Sequence, residues 1–202
     1  MFDLIAPDEH ARATEYFERV IPTGGVELFA FTGIRRDGTP ILAEATGAVI
    51  KDALGAPTGI LAITRDVSAR KRAEAQMRLQ STALAAAANG IVITDRDGAI
   101  IWCNPAFTAM TGYAPEEAFG HNPRDLVRSG KQDEAFYKNM WATILAGAVW
   151  RGTLTNRRKD GVEYTEEMTI TPVRADSETI SHFIAVKQDI TERERVDRKS
   201  VV

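Results

Sequence analysis

Hydrophobic and polar residues alternate over residues 150–171, and this period of two is the strongest pattern in the chain. Trp150, Gly152, Leu154 and Asn156 fall on one face of a predicted strand, with Arg151, Thr153, Thr155 and Arg157 opposite. On the next strand Tyr164, Glu166, Met168 and Ile170 share a face, opposed by Thr165, Glu167, Thr169 and Thr171. Asp160-Gly161 between them is a hairpin signal, because both turn residues must tolerate positive φ. A third strand then runs into a charged helix, which Thr191 and Glu194 open as a Thr-x-x-Glu capping box. Asn156 and Glu166 each interrupt an otherwise apolar face. Apolar walls with a few orienting polar groups are the pattern of a small-molecule pocket.

The pattern occurs twice. Asp37-Gly38 matches Asp160-Gly161 and Asp66 matches Asp189, both at an offset of 123 residues. At that offset Val26/Val149, Thr32/Thr155, Arg35/Arg158, Glu44/Glu167, Thr46/Thr169, Ala62/Ala185 and Arg70/Arg193 are also identical. Two units of this size make a tandem of domains rather than a solenoid. Met1 falls opposite Arg124, so residues 1–66 correspond to the back half of a domain. They are predicted to form a helix over 7–21 stopped by Gly24-Gly25, then strands near 26–34, 40–50 and 58–66. Such a sheet lacks two strands and presents an unpaired edge. The expectation is that a second chain completes it or that it is partly disordered.

Residues 67–86 read as a linker helix with Ser68 as N-cap. Ala73, Met77, Gln80, Leu84 and Ala87 recur at spacings of four and three, as a coiled-coil seam would. The alternative is a monomeric helix lying on a neighbouring sheet. The second unit, 87–190, begins with strands near 90–94 and 99–103. Short helices follow Asn104-Pro105 and Pro115, a loop spans 121–124, and a longer helix covers about 133–146. The exit helix occupies 191–202.

Composition narrows the function classes. A net charge of −3 and a pI near 5.7 give no sign of general nucleic-acid binding. The single cysteine, Cys103, excludes an intramolecular disulfide and a cysteine-rich metal site. No apolar run reaches the roughly 18–20 residues of a membrane span, and a signal-peptide pattern is missing, which points to a cytoplasmic protein or a cytoplasmic piece of something larger. Signatures of a phosphorylation helix, an ATP lid, a P-loop or a cyclic-di-nucleotide enzyme are also missing, so no catalysis is read from the sequence.

The segments GIVITDRDGAIIWCNPAFTAMTGYAPEEAFGHNP, WRGTLTNRRKDGVEYTEEMTITPV and HFIAVKQDITERE resemble the Per-ARNT-Sim (PAS) sensory fold. The resemblance covers residues 87–194 as a complete domain and 1–70 as a partial one. It implies an α+β fold: a five-stranded antiparallel sheet with short helices cupped over one face and a ligand between them. It also implies a homodimer, through the linker and exit helices, that signals to an output domain or partner protein.

Within that family WRGTLTNRRKDGVEYTEE is most similar to the flavin-binding redox sensors of nitrogen-fixation and methane-oxidation regulators, and next to light-oxygen-voltage domains. The reactive cysteine of the latter lies in Gly-x-Asn-Cys-Arg. Here that stretch is Gly120-His121-Asn122-Pro123-Arg124, and proline forms no thiol adduct. The resemblance places cofactor contacts at Asn122, Asn156, Glu166 and Lys187, the last two standing where flavin domains carry a second asparagine and a glutamine; Trp150 is a further candidate for stacking on the ring, with core packing as its alternative. Asn156 can donate and accept, Glu166 can accept and Lys187 can donate, a set suited to the edge of FAD or FMN. The alternatives are another small ligand, or a Glu166–Lys187 ion pair in a cofactor-free domain. Haem is disfavoured: the 133–146 helix has no histidine, and His10 lies about a turn before the position expected for a ligand, near Thr14. The functional reading is a sensory input module. Its alternatives are a cofactor-free dimerisation scaffold and the input fragment of a sensor histidine kinase or cyclic-di-nucleotide enzyme.

Overall fold

The computed structural model describes residues 4–23, 28–176 and 179–200. The expected stop at Gly24-Gly25, Val26 of the repeat and the last two residues of the exit helix lie outside them. The chain divides into two compact units, residues 1–79 and 80–202.

In the first unit a 3-10 turn, Pro7–Glu9, leads into α1 (His10–Thr23). Strands β1 (Leu28–Ile34), β2 (Pro40–Lys51) and β3 (Pro57–Asp66) form an antiparallel sheet in that order. Ala13, Tyr16 and Val20 recur at helical spacing on α1 and are buried with Phe29, Phe31 and Ala43 of the sheet. Tyr16 stacks on Phe29 with ring centroids 4.5 Å apart. β3 differs from its neighbours. None of its residues is buried, and among the described residues no strand pairs with its outer edge.

Helix α2 (Ser68–Ala85) follows, and none of its residues is buried. Met77, Leu79 and Leu84 are exposed along it. The apolar positions of its seam are therefore open.

The second unit orders its strands β5-β4-β8-β7-β6, all antiparallel. They are β4 (Gly90–Asp95), β5 (Ile100–Cys103), β6 (Trp150–Arg157), β7 (Glu163–Arg174) and β8 (Ile180–Asp189). Helices α3 (Pro105–Thr111), α4 (Pro115–Ala118), α5 (Pro123–Val127) and α6 (Glu134–Leu145) lie between β5 and β6, and α7 (Thr191–Ser200) leaves β8. Asn104 caps α3 and is fully buried. Its Oδ1 accepts from the N–H groups of Ile91 and Phe107, and its Nδ2 donates to Asn89 O, so one side chain ties the end of the linker to the first strand. The core joins Val92, Ile100, Phe107, Ile144, Leu154, Met168 and Phe183 from both layers.

The two units repeat each other in register. β1 pairs with β2 through Phe31↔Ala43, and β6 with β7 through the equivalent Leu154↔Glu166. Gly38 and Gly161 take φ of 83° and 90° in the two hairpins, as a turn between alternating strands requires. The strand-to-helix corner is duplicated as well. Asp66 accepts from Ser68 N–H and pairs with Arg35, as Asp189 accepts from Thr191 N–H and pairs with Arg158. Ser68 Oγ caps Leu42 N–H, as Thr191 Oγ1 caps Thr165 N–H.

Candidate functional site

A cavity of about 80 Å³ lies between the inner face of the second sheet and helices α5 and α6. The strands supply mainly apolar wall: Leu154, Met168, Ile170, Phe183 and Ala185, with Val127, Met140 and Ile144 from the helices. Pairing β6 with β7 and β7 with β8 brings the alternating inward residues of three strands to one surface. At one end that wall turns polar, with Asn156 3% and Lys187 3% exposed.

Lys187 donates from Nζ to Glu166 Oε1 at 2.6 Å, and Glu166 is 0% exposed. The Tyr164 hydroxyl donates to Glu166 Oε2 at 3.2 Å. Burial and the adjacent Glu166 carboxylate push the Tyr164 hydroxyl far above the ordinary phenol range, so it stays a donor. The Arg158 guanidinium lies 4.6 Å from the Tyr164 ring centroid and donates to Met110 O and Asp189. Asp189 in turn accepts from the Thr191 hydroxyl at 2.6 Å and backbone N–H at 2.9 Å, at the first residue of α7. Burial raises the Asp189 carboxyl, but the Thr191 and Arg158 hydrogen bonds outweigh it and hold it below the usual range. A continuous set of contacts therefore runs from the cavity to the exit helix: Lys187, Glu166, Tyr164, Arg158, Asp189, Thr191.

Beside the cavity lies a recess of about 240 Å³ lined by Arg124, Arg128, Glu134, Tyr137, Lys138 and Trp141. Three cations against one carboxylate make this recess electropositive. Arg128 lies over the Tyr137 ring, 4.8 Å from its centroid. The Tyr137 hydroxyl is buried and finds no hydrogen-bond partner among the described residues. Arg124, Tyr137 and Trp141 line both cavity and recess, so the two spaces share a wall.

Gly98 sets how closely the cavity roof can approach. A Cβ there would sit 2.5 Å from Asn122 Nδ2 and 3.0 Å from the Trp141 ring, and its φ of 88° belongs to the left-handed region. Asn122 caps α5 by accepting from Arg124 N–H at 3.1 Å. Pro123 occupies the first turn of α5 on the cavity wall. Cys103 is not on that wall; burial, and secondarily Glu116, push its thiol above the ordinary range.

Of the five residues expected at a cofactor, Asn122, Asn156 and Lys187 line the cavity. Glu166 stands behind Lys187 as its counter-ion. Trp150 does not line the cavity. It is core, edge-to-face with Phe136 at 5.5 Å, its ring lying over Gly152. Strand parity places Trp150 on the same face as Asn156, but six residues apart on a strand leaves them ~20 Å distant, at opposite ends. The basic recess went unread in the sequence. Arg124, Arg128 and Lys138 are common surface types, and only folding brings α5 and α6 together. No histidine lies on α6, and His10 bonds Ile5 O through Nε2 at 2.9 Å.

A PAS domain family model matches residues 1–69 and 88–192. The nitrogen fixation regulatory protein of Klebsiella oxytoca is 39% identical over 101 residues, half of this chain and 20% of that protein. The bacterioopsin transcriptional activator of Halobacterium salinarum is 31% identical over 207 residues, covering 95% of this chain and 30% of its own length. The chain thus spans less than a third of either relative. Among solved structures, an RNA-binding light-oxygen-voltage receptor superposes over 96% of this chain and 84% of its own, with TM-score 0.55 and 16% identity, a likeness of fold. Matched over both units by one family model, and related to regulatory proteins, the chain belongs to the PAS domain family as a sensory input module.

Proposed function

We propose that residues 87–190 bind a flavin nucleotide, FMN or FAD, and pass its state to α7. The observation that carries this reading is an apolar cavity with a buried polar end, sharing three wall residues with a basic recess. Asn156 offers donor and acceptor to the carbonyl and N3–H edge of an isoalloxazine, and Lys187 offers a donor. Arg124, Arg128 and Lys138 suit a phosphate, with the unpartnered Tyr137 hydroxyl between. At about 80 Å³ the slot is below the ~300–1,000 Å³ of sites for drug-sized ligands. A tricyclic ring therefore enters with Met140 and Met168, the adaptable side chains of the wall, displaced. When bound, a flavin supplies reversible redox chemistry and visible absorption.

A ligand that competes for the Lys187 ammonium loosens its bond to Glu166. Tyr164 and Arg158 then re-partner, and the Asp189–Thr191 cap that starts α7 feels the change. With proline at position 123, thiol-adduct photochemistry has no nucleophile at that wall. The test is the absorption spectrum of chain purified from a flavin-replete host, with heat release of the chromophore. Flavin bands and released FMN or FAD are expected; protein that stays colourless after reconstitution refutes the reading.

The exposed Met77, Leu79 and Leu84 on α2 favour a second reading, in which the module dimerises as a scaffold through that helix. Substituting Met77 and Leu84 by Glu then monomerises the chain, whereas the flavin reading leaves the spectrum unchanged.

A further inference from the structure

Among the described side chains Lys187 is the one buried lysine. Lys51, Lys71, Lys131, Lys138 and Lys159 are exposed, whereas Lys187 is 3% exposed and lines the apolar cavity of the second unit. An ammonium carries three N–H donors. Among the described residues Lys187 Nζ meets one acceptor, Glu166 Oε1 at 2.6 Å, while Glu166 Oε2 accepts from the Tyr164 hydroxyl. Buried donors are ordinarily satisfied, and two of the three here find no acceptor among those residues.

A protonated imine removes that mismatch. When a lysine nitrogen condenses with an aldehyde it keeps its positive charge and retains a single N–H, which Glu166 Oε1 is placed to accept. Charge is the second constraint. Acylation would turn the ammonium into a neutral amide and leave Glu166, 0% exposed, as an unpaired interior carboxylate. The imine leaves the ion pair intact.

The cavity sets the class of aldehyde. At roughly 10–15 Å³ for each water-sized group, its volume of about 80 Å³ holds about six heavy atoms. Leu154, Met168, Ile170 and Phe183 make the wall beside Lys187 apolar, which suits an aliphatic chain.

We propose that Lys187 is a covalent site for short-chain aliphatic aldehydes, held as a protonated imine against Glu166. Glu166 Oε1 accepts a proton from the ammonium along the 2.6 Å hydrogen bond, and the freed amine attacks the carbonyl carbon. As the C–N bond forms, the carbonyl π pair moves to oxygen, which takes a proton from the nitrogen to give a carbinolamine. Glu166 then returns its proton to that hydroxyl. The C–O bond breaks, water leaves, and the nitrogen lone pair closes the C=N bond. One aldehyde and one ammonium thus give one protonated imine and one water, with no oxidant or reductant. The apolar wall keeps bulk water from the imine and slows its hydrolysis. The site is independent of the flavin reading, because the condensation needs no chromophore.

The test treats the full chain with butanal and sodium cyanoborohydride, which reduces an imine to a stable secondary amine, and maps the label by peptide mass spectrometry. A butyl label on Lys187 is expected, gained at least about tenfold faster than at the exposed lysines. Lys187→Arg keeps the charge and should abolish the fast label; the map of the unsubstituted chain decides the matter by itself if that variant fails to fold. A naphthaldehyde, too large for the cavity, should spare Lys187 while still marking exposed lysines. Butyl groups on exposed lysines with Lys187 unmodified overturn the proposal. So does fast labelling of Lys187 by both aldehydes, which places its amine outside the cavity.

Discussion

Replacing Lys187 by Met leaves a buried carboxylate without its counter-ion. The pair is 2.6 Å apart with the two side chains 3% and 0% exposed, so water cannot take over for either partner. At an effective dielectric of about 20 the attraction at that distance is about 6 kcal/mol, and desolvating two ions offsets most of it. The pair as a whole therefore contributes little net stability, yet losing one member costs about 3–5 kcal/mol. Glu166→Gln combined with Lys187→Met removes both charges and leaves a carbonyl to accept from Tyr164. That double variant should lose only about 1–2 kcal/mol, a coupling of at least about 2 kcal/mol. Trp102, Trp141 and Trp150 are the three tryptophans of the chain and all belong to the second unit, so fluorescence-monitored urea unfolding reads this domain alone. With a urea slope of about 2 kcal/mol per molar, the single variant lowers the midpoint by about 2 M. A single-variant loss below about 1 kcal/mol, or additive losses in the double, would refute the argument that the pair is sealed from solvent.

Gly98→Ala combines a disfavoured φ with a 2.5 Å approach to Asn122, and should cost about 1–3 kcal/mol and lower cofactor retention; unchanged stability would show that the roof is slack. Arg124→Ala with Arg128→Ala should weaken FMN binding by about tenfold or more and leave riboflavin binding nearly unchanged, since only FMN carries the phosphate; titration calorimetry with both ligands separates the cases. The depressed Asp66, near 2, and Asp189 stabilise the two strand-to-helix corners above the unfolded carboxyl value of about 3.9. That contribution should vanish as pH falls through the folded values, seen as a loss of protection of the Ser68 and Thr191 amides relative to their intrinsic exchange rate at each pH, whereas pH-independent protection would contradict it. Lys187→Ala should abolish any ligand-dependent change at α7, measured by a spin label on Arg195; an unaltered response would exclude the Lys187–Glu166 route.

Much of the fold could be read from period and turn chemistry. Asp37-Gly38 and Asp160-Gly161 fix hairpin registers locally, and the 123-residue offset carries the same register to both units. Helices α3, α4 and α6 of the second unit announce themselves through Asn104-Pro105, Pro115 and Asp133 at their starts, whereas α5 begins at Pro123 inside the stretch expected as a loop. The candidate site was legible only where side-chain parity decides it. Asn156 and Lys187 face inward because their strands alternate. Parity fixes a face but not a distance along the strand, which is why Trp150 falls in the core. It also does not show that Glu166 is screened by Lys187, a matter of which long side chain reaches further. The basic recess depends on α5 and α6 meeting, and no local pattern encodes that.

The repeated corner has a consequence for how the two halves differ. Counting back 123 residues from Asn156, Tyr164, Glu166 and Lys187 gives Gly33, Ile41, Ala43 and Thr64. The first unit thus keeps the Arg35–Asp66–Ser68 joint between sheet and helix, while Gly33, Ala43 and Thr64 stand where the second unit has its amide, carboxylate and ammonium. It has the hinge of the device without its trigger. Under the proposed function, a stimulus reaches this joint as a pull or shift of the sheet, whereas the joint at Asp189 also answers to chemistry at Lys187 and Glu166.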